Sequence, residues 1–471
     1  MLEPAYQADV VVVGAGIAGL AAAQQLTSAG VTTTVLEAAH CVGGRTATEK
    51  VDGFRLDRIG RPLPMGPTDA RLAPGLEGLV LLPFAPGVLL HSEGRHHRAG
   101  APASARSARG ARGALHVVRA LASAPRSVPA PRRPVAVPRP PGRSLPASRQ
   151  RAGAPLGTAV DQARLGAALA RLAATPADRL LARPELSAAE APALRGLPAR
   201  TIDGFLRPLL AALLCDPGLT TSSRCADLAL RAFAGGRLGL PEGGAEALPE
   251  LLARGLPPGT VHTGVRVTSV ATNAVTTAEH GVIRCRAVLV ATDARAAAEL
   301  LPGLRVPDFH PVTVVHHATD EPPTTGTALL LDADRGGPVA HTAVISHVDP
   351  SRAPAGRALV SSTVLGAPPS GVDTAVRVHL SRLYGVPTTR WETLAVHHTP
   401  EAVPAMRPPH DPRRPVRLLA GLYVCGDHRD TSDVRGALHS AHRASAAILT
   451  DLGAGRPMHA ADPAPTASAA A

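Results

Sequence analysis

Blocks of apolar residues in the first sixty positions predict a strand, a helix and a second strand. Residues 8–13 form a nearly continuous apolar run, as expected for a buried parallel strand. A glycine-rich turn follows, and apolar residues then recur at helical spacing as far as Ala29. Residues 32–37 form a second apolar run that ends on the acid Glu37. The pattern therefore predicts a βαβ unit with two parallel strands.

The turn between the first strand and the helix carries three glycines with separate roles. Gly14 makes the tight turn, Gly16 lets the backbone approach a pyrophosphate, and Gly19 lets the helix pack close to the strand. Free N–H groups at the positive end of the helix favour the phosphate. Glu37, at the tip of the second strand, can accept hydrogen bonds from ribose hydroxyls, and its charge repels a 2′-phosphate. This arrangement predicts a dinucleotide site that disfavours NADP.

A second glycine turn favours FAD over NAD. Gly43, Gly44 and Arg45 follow Glu37 closely and combine a flexible backbone with a cation. An NAD site does not need this second turn. FAD is longer, because it carries a ribityl chain and a flavin ring, and its pyrophosphate must be held from two sides. We therefore expect FAD as the cofactor.

Helical and strand-like patterns alternate along the rest of the chain. Helices are predicted at residues 160–173, 186–195, 202–214, 373–384 and 435–449. Strands are predicted at residues 261–271, 287–292, 391–398 and 422–425, and short β-rich runs between residues 309 and 365 predict an antiparallel sheet. The fold class is therefore α/β, with a Rossmann-like FAD-binding domain and an inserted α+β substrate domain made of the antiparallel sheet and helices.

The division into domains follows from the same patterns. In chain order we expect a first part of the FAD-binding domain (1–90), an insert rich in Arg, Pro and Ala (91–156), a helical part of the substrate domain (157–235), a second part of the FAD-binding domain (236–302), the antiparallel-sheet substrate domain (303–410), a third part of the FAD-binding domain (411–453) and a loose tail (454–471).

The net charge of +12 comes from one segment. Residues 91–160 contain 13 arginines and one acid, whereas the remainder holds 36 basic and 36 acidic residues. Residues 101–155 contain few large apolar residues and are expected to be mostly disordered, apart from a short helix at 114–122. Their arginines could contact an anionic membrane surface or nucleic acid, but the segment lacks aromatic residues, so we favour a solvated linker and expect no specific nucleic-acid partner.

Cysteine and histidine spacings do not indicate a metal site. The five cysteines are scattered without a CxxC pair and are expected to be reduced thiols. The histidine pairs 316–317 and 397–398 lie in strand-like stretches, where neighbours point to opposite faces. We therefore expect no metal. The N-terminal residues show no basic region typical of an export signal, and no run approaches ~20 apolar residues, so a cytoplasmic protein is expected.

Three separated motifs resemble one family of enzymes. They are VVVGAGIAGLAAAQQL with VLEA, then VGGRT with DGFRLD, and finally GLYVCGD with GALHSAHRASAAIL. These motifs, together with the stretch LPEGGAEALPELLARGL in the middle of the chain, resemble the FAD-dependent oxidoreductases that include flavin amine oxidases, protoporphyrinogen oxidase and phytoene desaturases. The resemblance covers most of the chain outside residues 91–160.

The resemblance implies a set of cofactor-binding residues. In it, Val267 bonds the adenine through its backbone and Asp427 bonds the ribityl chain. The start of the last helix faces the flavin, where its positive end stabilises the reduced ring. The full set is Gly14, Gly16, Ala18, Gly19, Glu37, Ala38, Gly43, Gly44, Arg45, Gly60, Arg61, Val267, Gly426, Asp427, Arg435, Gly436 and Ala437.

Departures from the family leave the substrate open. Flavin amine oxidases use a lysine near the flavin, whereas Lys50, the only lysine here, belongs to the adenosine side. Trp391 and Tyr423 are candidates for an aromatic cage but suit the core better. No catalytic residue can be assigned from spacing. We expect an oxidoreductase that removes a hydride from a small, largely apolar molecule; the alternative is a flavin-fold binding or assembly protein without turnover.

Overall fold

The computed structural model describes residues 8–64, 72–100, 156–236 and 238–453. The strands are β1 (Val10–Val13), β2 (Thr33–Glu37), β3 (Thr48–Val51), β4 (Phe54–Asp57), β5 (Leu63–Pro64), β6 (Leu81–Pro83), β7 (Val88–Ser92), β8 (Arg95–Ala99), β9 (Leu238–Pro241), β10 (Val261–Thr263), β11 (Val267–Ala271), β12 (Ala274–Thr277), β13 (Gly281–Arg284), β14 (Ala287–Val290), β15 (Phe309–Thr319), β16 (Leu330–Asp332), β17 (Val339–Val344), β18 (Ala358–Leu365), β19 (Glu392–Pro404), β20 (Arg417–Leu419) and β21 (Leu422–Val424). The helices are α1 (Ile17–Ser28), α2 (Ala159–Ala174), α3 (Ala177–Leu181), α4 (Ala191–Leu194), α5 (Ala199–Thr201), α6 (Arg207–Leu214), α7 (Ser223–Ala234), α8 (Ala247–Arg254), α9 (Ala294–Leu300), α10 (Ile345–Val348), α11 (Val372–Tyr384) and α12 (Val434–Leu452).

A six-stranded sheet forms the centre of the first unit. Its strand order is β10, β2, β1, β14, β21, β20, and only the edge strand β20 runs antiparallel to its neighbour. All four residues of β1 are buried, because helices and loops cover both faces of the sheet. The βαβ unit predicted from the sequence is confirmed, with β1 and β2 parallel and α1 between them.

A seven-stranded, mainly antiparallel sheet forms the second unit, in the order β19, β15, β18, β17, β16, β7, β8. Strand β7 begins before residue 90, where the sequence places a domain boundary, and pairs with β16 in this sheet. One face packs on α6 and carries Val314 and Ala343, whereas the other packs on α11 and carries Val315 and Val344.

Neighbouring histidines in β15 confirm the expected alternation of side chains. His316 contacts the backbone oxygen of Asp57 on the α6 side, and His317 contacts Asp373 and the ring of Trp391 on the α11 side. Burial lowers the pKa of His316 to about 3 and that of His317 to about 4, so both rings are neutral near pH 7.

The helical block differs from the prediction in two places. Residues 186–195 were expected to be helical, but only α4 is, because the preceding residues pair with the start of α7 through Ser187 and Ser222. The expected helix at 202–214 begins with a π-helical stretch, Ile202–Leu206, before α6. At residues 186–190, tertiary hydrogen bonds to the chain before α7 therefore override the local helical pattern.

A single strand-like run at 261–271 is two strands in different sheets. Strand β10 extends the central sheet, whereas β11 pairs with β12 in a small three-stranded sheet. Gly264 separates them in a left-handed conformation with φ of 74°. The chain therefore turns away from the central sheet between Thr263 and Val267.

A buried ion pair fixes the loop that follows β4. The carboxylate of Asp57 accepts bonds from both terminal nitrogens of Arg352, from the Thr48 hydroxyl and from the backbone N–H of Ala245. Burial alone would raise the pKa of Asp57, but the Arg352 charge outweighs it and holds the pKa below its usual range. The pair joins the two units beside Gly60.

Trp391 and Tyr423 lie in separate cores and cannot form one cage. Trp391 packs on Tyr384 and His317 beside the seven-stranded sheet, whereas Tyr423 belongs to β21 of the central sheet and is fully buried in the core of the first unit. Predictions for residues 101–155 and for the tail beyond 453 fall outside the described residues. Within the described part of the chain, no helix is long and apolar enough to cross a membrane.

Candidate functional site

The turn after β1 leaves the start of α1 open. Gly14 has φ of 106°, and a Cβ there would lie 3.0 Å from the Ala291 oxygen. A Cβ at Gly19 would lie 2.0 Å from the Gly14 oxygen, so the helix packs directly on the turn. Nothing lies within 4 Å of a Cβ at Gly16, and no side chain caps the helix. These are the features that a pyrophosphate requires at a helix N-terminus.

The Glu37 carboxylate is fixed beside this turn. Its Oε2 accepts a hydrogen bond from the Ala15 N–H at 2.7 Å, and its Oε1 accepts one from the Ala39 N–H at 2.9 Å. A carboxylate oxygen has a second acceptor position, so both oxygens can still accept bonds from ribose hydroxyls. Ala38, the next residue in the chain, is exposed.

The start of β11 lies close to Glu37. The backbone N–H of Val265 donates to the Glu37 oxygen, and that of Gly264 donates to the Ala39 oxygen. These bonds bring the segment that leads to Val267 alongside the tip of β2. The structure therefore places the predicted adenine contact next to the predicted ribose contact. The remaining predicted residue of this half, Ala18, is buried in the first turn of α1.

The second glycine turn contacts the first one and two segments late in the chain, around Ala402 and Asp427. Gly43 donates its N–H to the Ala15 oxygen, which ties this turn to the first one. Arg45 donates to the Ala402 oxygen at 3.0 Å and to the Asp427 carboxylate at 2.7 Å. Burial lowers the pKa of Arg45, but the Asp427 charge outweighs it and leaves a raised pKa and a firm positive charge.

Arg61 connects three distant segments. Its Nε donates to the Leu213 oxygen at 3.1 Å, at the end of α6, and Nη1 donates to the Ser432 oxygen just before α12. A Cβ at Gly60 would touch the Val314 methyl groups at 3.4 Å. Gly60 and Arg61 therefore lie where the two units meet.

An acid caps the last helix, which the sequence did not indicate. Asp433 accepts a hydrogen bond from the Gly436 N–H at 2.9 Å and pairs with the Arg435 guanidinium at 2.6 Å. Burial would raise the pKa of Asp433, but Arg435 and Arg61 outweigh it and keep the group ionised. The positive helix end is therefore partly neutralised by Asp433, and the two arginines restore positive charge.

Tight packing shapes the turn before this helix. A Cβ at Gly436 would lie 1.8 Å from the Thr431 oxygen, so no side chain fits there. The Ser440 hydroxyl, in α12, accepts a hydrogen bond from the Gly426 N–H at 3.0 Å and donates one to the Gly426 oxygen at 2.8 Å. These two bonds hold the turn that precedes Asp427 against α12. Ala437 is buried. Ser440 is therefore a further residue of the candidate site. The sequence shows no signal for it, because serine is common in helices.

An apolar surface continues from Gly60 into the second unit. Val312, Val314, Ala402, Val403 and Cys215 form a buried cluster, with Ile59 and Leu365 packed against it. Leu365 also lines a cavity of about 540 Å³ between α6, β17 and the start of α11. Most of the cavity wall is Ala, Pro and Val, and Arg207, Arg335 and Asp332 are its charged residues.

The donors and open spaces of the site fit FAD. An uncapped helix start, an arginine with a raised pKa and an acid held by two backbone groups match the needs of an adenosine diphosphate. The chain matches the family described as "Flavin containing amine oxidoreductase" over residues 17–449. The chain belongs to this family. Members of the flavin-containing amine oxidoreductases bind FAD, which confirms the cofactor predicted from the sequence.

Curated relatives of this chain match over short stretches. Putrescine oxidase of Kocuria rosea is 58% identical over 55 residues, which are 12% of this chain and 12% of that protein. Flavin-containing amine oxidase B of Cavia porcellus is 48% identical over 64 residues, 14% of this chain and 12% of that protein. The matched stretches therefore span about an eighth of each relative.

Solved structures match this chain over nearly its whole length. An oxidoreductase from Methanosarcina mazei has a TM-score of 0.65 at 16% identity and covers 92% of this chain and 99% of its own. Putrescine oxidase bound to putrescine has a TM-score of 0.62 at 19% identity, with 94% and 99% covered. These likenesses confirm the predicted fold class.

Proposed function

We propose that the protein is an FAD-dependent oxidoreductase that removes a hydride from a small, largely apolar molecule. The observation that carries the proposal is the cradle formed by the open start of α1, the fixed Glu37 carboxylate and the Arg45–Asp427 pair. When bound, FAD supplies the acceptor for two electrons and a proton equivalent. The roles of the seventeen predicted cofactor residues belong to this proposal.

The protein's own residues would bind, orient and dry the site. Arg45 supplies positive charge to the pyrophosphate, and Asp427, held by Arg45, is available to a ribityl hydroxyl. Arg61 and Arg435 lie beside the N-terminus of α12, where they favour negative charge on a reduced ring. The apolar cluster around Val314 excludes water from the side of Gly60.

The cavity of about 540 Å³ is the proposed substrate entrance. It is mainly apolar, and Leu365 joins it to the cluster beside Gly60. The cavity therefore offers a small molecule a mainly apolar surface that ends on the buried cluster beside Gly60. Family membership favours an amine as the oxidised group.

Anaerobic spectroscopy of the purified holoprotein tests this function. The protein is expected to be yellow, and a panel of amines that includes putrescine and benzylamine should bleach the flavin absorbance with saturating rates. Parallel reduction by dithionite shows that the flavin is accessible. A colourless protein that does not take up FAD would refute the proposal at the level of the cofactor.

A flavin-fold binding protein without turnover is the second candidate. One observation favours it: Lys50 lies on β3, paired with Glu246 at 3.2 Å and 60% exposed, so this lysine does not serve the flavin. A flavin that is reduced by dithionite but by no amine, alcohol or apolar substrate would support this candidate. Substrate reduction well above the background rate would exclude it.

The arginine-rich segment adds a separate proposal on partners. We propose that residues 101–155 act as a solvated linker; the alternative is that their arginines make weak contact with an anionic membrane surface. Sedimentation with vesicles of phosphatidylserine and phosphatidylcholine tests it, using a variant that lacks residues 101–155. Binding that disappears in that variant would favour the membrane contact.

A further inference from the structure

A histidine without hydrogen bonds lies inside the predicted cofactor site. His428 follows Asp427 directly, and only 4% of its surface is exposed. Neither ring nitrogen has a hydrogen-bond partner among the described residues. Burial lowers the pKa of His428 to about 4, so the ring is neutral near pH 7 and has one N–H donor and one acceptor. Buried polar groups in proteins are nearly always bonded, so the ring lacks a partner.

The position of the ring indicates where that partner belongs. A Cβ at Gly426 would lie 2.7 Å from both Cε1 and Nδ1 of His428, so the ring occupies the space beside the glycine of the turn. Asp427, between these two residues, holds Arg45 from the second glycine turn. The imidazole therefore lies within the group of residues that fits the cofactor.

The charges around the ring favour an anion. Arg45, Arg414 and Arg429 act on His428 together with one acid, Asp427. Asp427 is already paired with Arg45 at 2.7 Å. The charges of Arg414 and Arg429 are left over, and they attract a negatively charged oxygen of the pyrophosphate and repel a cation.

We propose that the His428 imidazole is a cofactor-binding side chain whose ring N–H donates a hydrogen bond to a pyrophosphate oxygen of FAD. The residue is a contact that neither the glycine motifs nor the family match assigns. A neutral donor of this kind adds affinity without adding charge, and it explains why an unbonded ring is kept in a buried turn. The inference rests on FAD binding alone and not on any substrate.

A matched pair of leucine variants tests the contact. His341 in β17 is also 4% exposed, and both of its ring nitrogens lack partners among the described residues, but it lies in the second unit. Apo-protein of wild type, His428→Leu and His341→Leu is titrated with FAD, and the dissociation constant is read from flavin fluorescence. A bond to a charged acceptor predicts roughly tenfold to hundredfold weaker binding in His428→Leu. His341→Leu should bind like wild type.

The thermal midpoint of each apo-protein separates a contact from a structural role. Removing an unbonded buried imidazole should leave the midpoint of His428→Leu unchanged or higher. His428→Gln, which keeps a donor, should recover part of the affinity. A dissociation constant within twofold of wild type in His428→Leu would overturn the proposal.

Nitrogen spectra of wild-type protein give a second readout if His428→Leu fails to fold. The ring signals of ¹⁵N-histidine are recorded before and after FAD is added, and the His428 signals are identified by their loss in His428→Gln. A shift of the protonated nitrogen on FAD addition is expected. Ring signals that do not move would contradict the contact. Failure of wild-type protein to bind FAD would instead count against the cofactor assignment.

Discussion

Replacing Glu37 with glutamine changes one atom at the nucleotide end of the site. The carboxylate accepts from the Ala15 N–H at Oε2 and from the Ala39 N–H at Oε1. In Glu37→Gln, one of these oxygens becomes an NH₂ group that faces a backbone N–H. The variant therefore loses one charged acceptor and places two donors against each other.

The size of the effect follows from the bonds involved. A hydrogen bond to a charged group contributes about 1.5–3 kcal/mol, and the bond to Ala39 is exposed, so the lower end applies to the free protein. We expect the apo-protein to lose about 1–2 kcal/mol of unfolding free energy. Loss of one ribose bond should weaken FAD binding by roughly one to two decades.

Titration of apo-protein with FAD and urea unfolding measure the two quantities separately. Glu299→Gln, on the exposed side of α9, is the matched control and should change neither. The glutamine variant should still fold, because Glu37 lies at the tip of β2 and outside the core. Unchanged FAD affinity in Glu37→Gln would refute the reasoning and leave the acid as a strand end that only fixes the loop.

Three further predictions concern stability and pH. Gly436→Ala should lower the unfolding free energy by about 1–3 kcal/mol and weaken FAD binding, because the new Cβ meets the Thr431 oxygen. Gly78→Ala is the control: the nearest atom to its Cβ is 3.9 Å away, so it should change neither quantity in the same titrations. Asp57→Asn should cost about 3–5 kcal/mol in urea unfolding by leaving Arg352 buried and unpaired, and adding Arg352→Met should recover much of the loss; a smaller cost than in Asp320→Asn, which breaks an exposed pair, would contradict this. Burial raises the pKa of Asp430 to about 6, so the folded state holds this proton more tightly than the unfolded state, and this contribution to stability is lost as pH rises from about 4 to 6. Relative to wild type, Asp430→Asn should therefore gain about 2 kcal/mol between pH 4 and 7 in chemical unfolding, and a constant difference would show that the carboxyl does not titrate there.

Local sequence patterns predicted most elements but not their partners. The apolar runs that became β1, β2 and β14 were evident, because buried parallel strands are apolar on both faces. In the structure β1 lies between β2 and β14, and Val10 pairs with both Thr33 and Ala287. This strand order was not evident, because apolar runs do not reveal which distant strand pairs with which. Residues 186–190 were predicted as helix because apolar spacing cannot reveal a bridge to Ser222.

The site residues divide in the same way. The tight, open turn formed by Gly14, Gly16 and Gly19 could be predicted, because a close strand–turn–helix connection excludes side chains. Asp433 and Ser440 could not, because their roles depend on contacts with Gly436 and Gly426 that only the folded turn creates. Polar residues of this kind are common in helices and turns, so their identity alone indicates no site.

The wide sequence separation within the central sheet has a consequence for synthesis in the cell. Val10 of β1 pairs with Ala287, and β14 in turn pairs with Leu422 in β21, so the sheet is complete only after residue 424 has left the ribosome. Until β14 is made, the fully apolar edge of β1 is open to other chains, and until β21 is made the edge of β14 is open in its place. A ligand that binds only the completed fold stabilises it by mass action, so the open strand edges expose the chain to chaperones and proteases for longest when such a ligand is scarce.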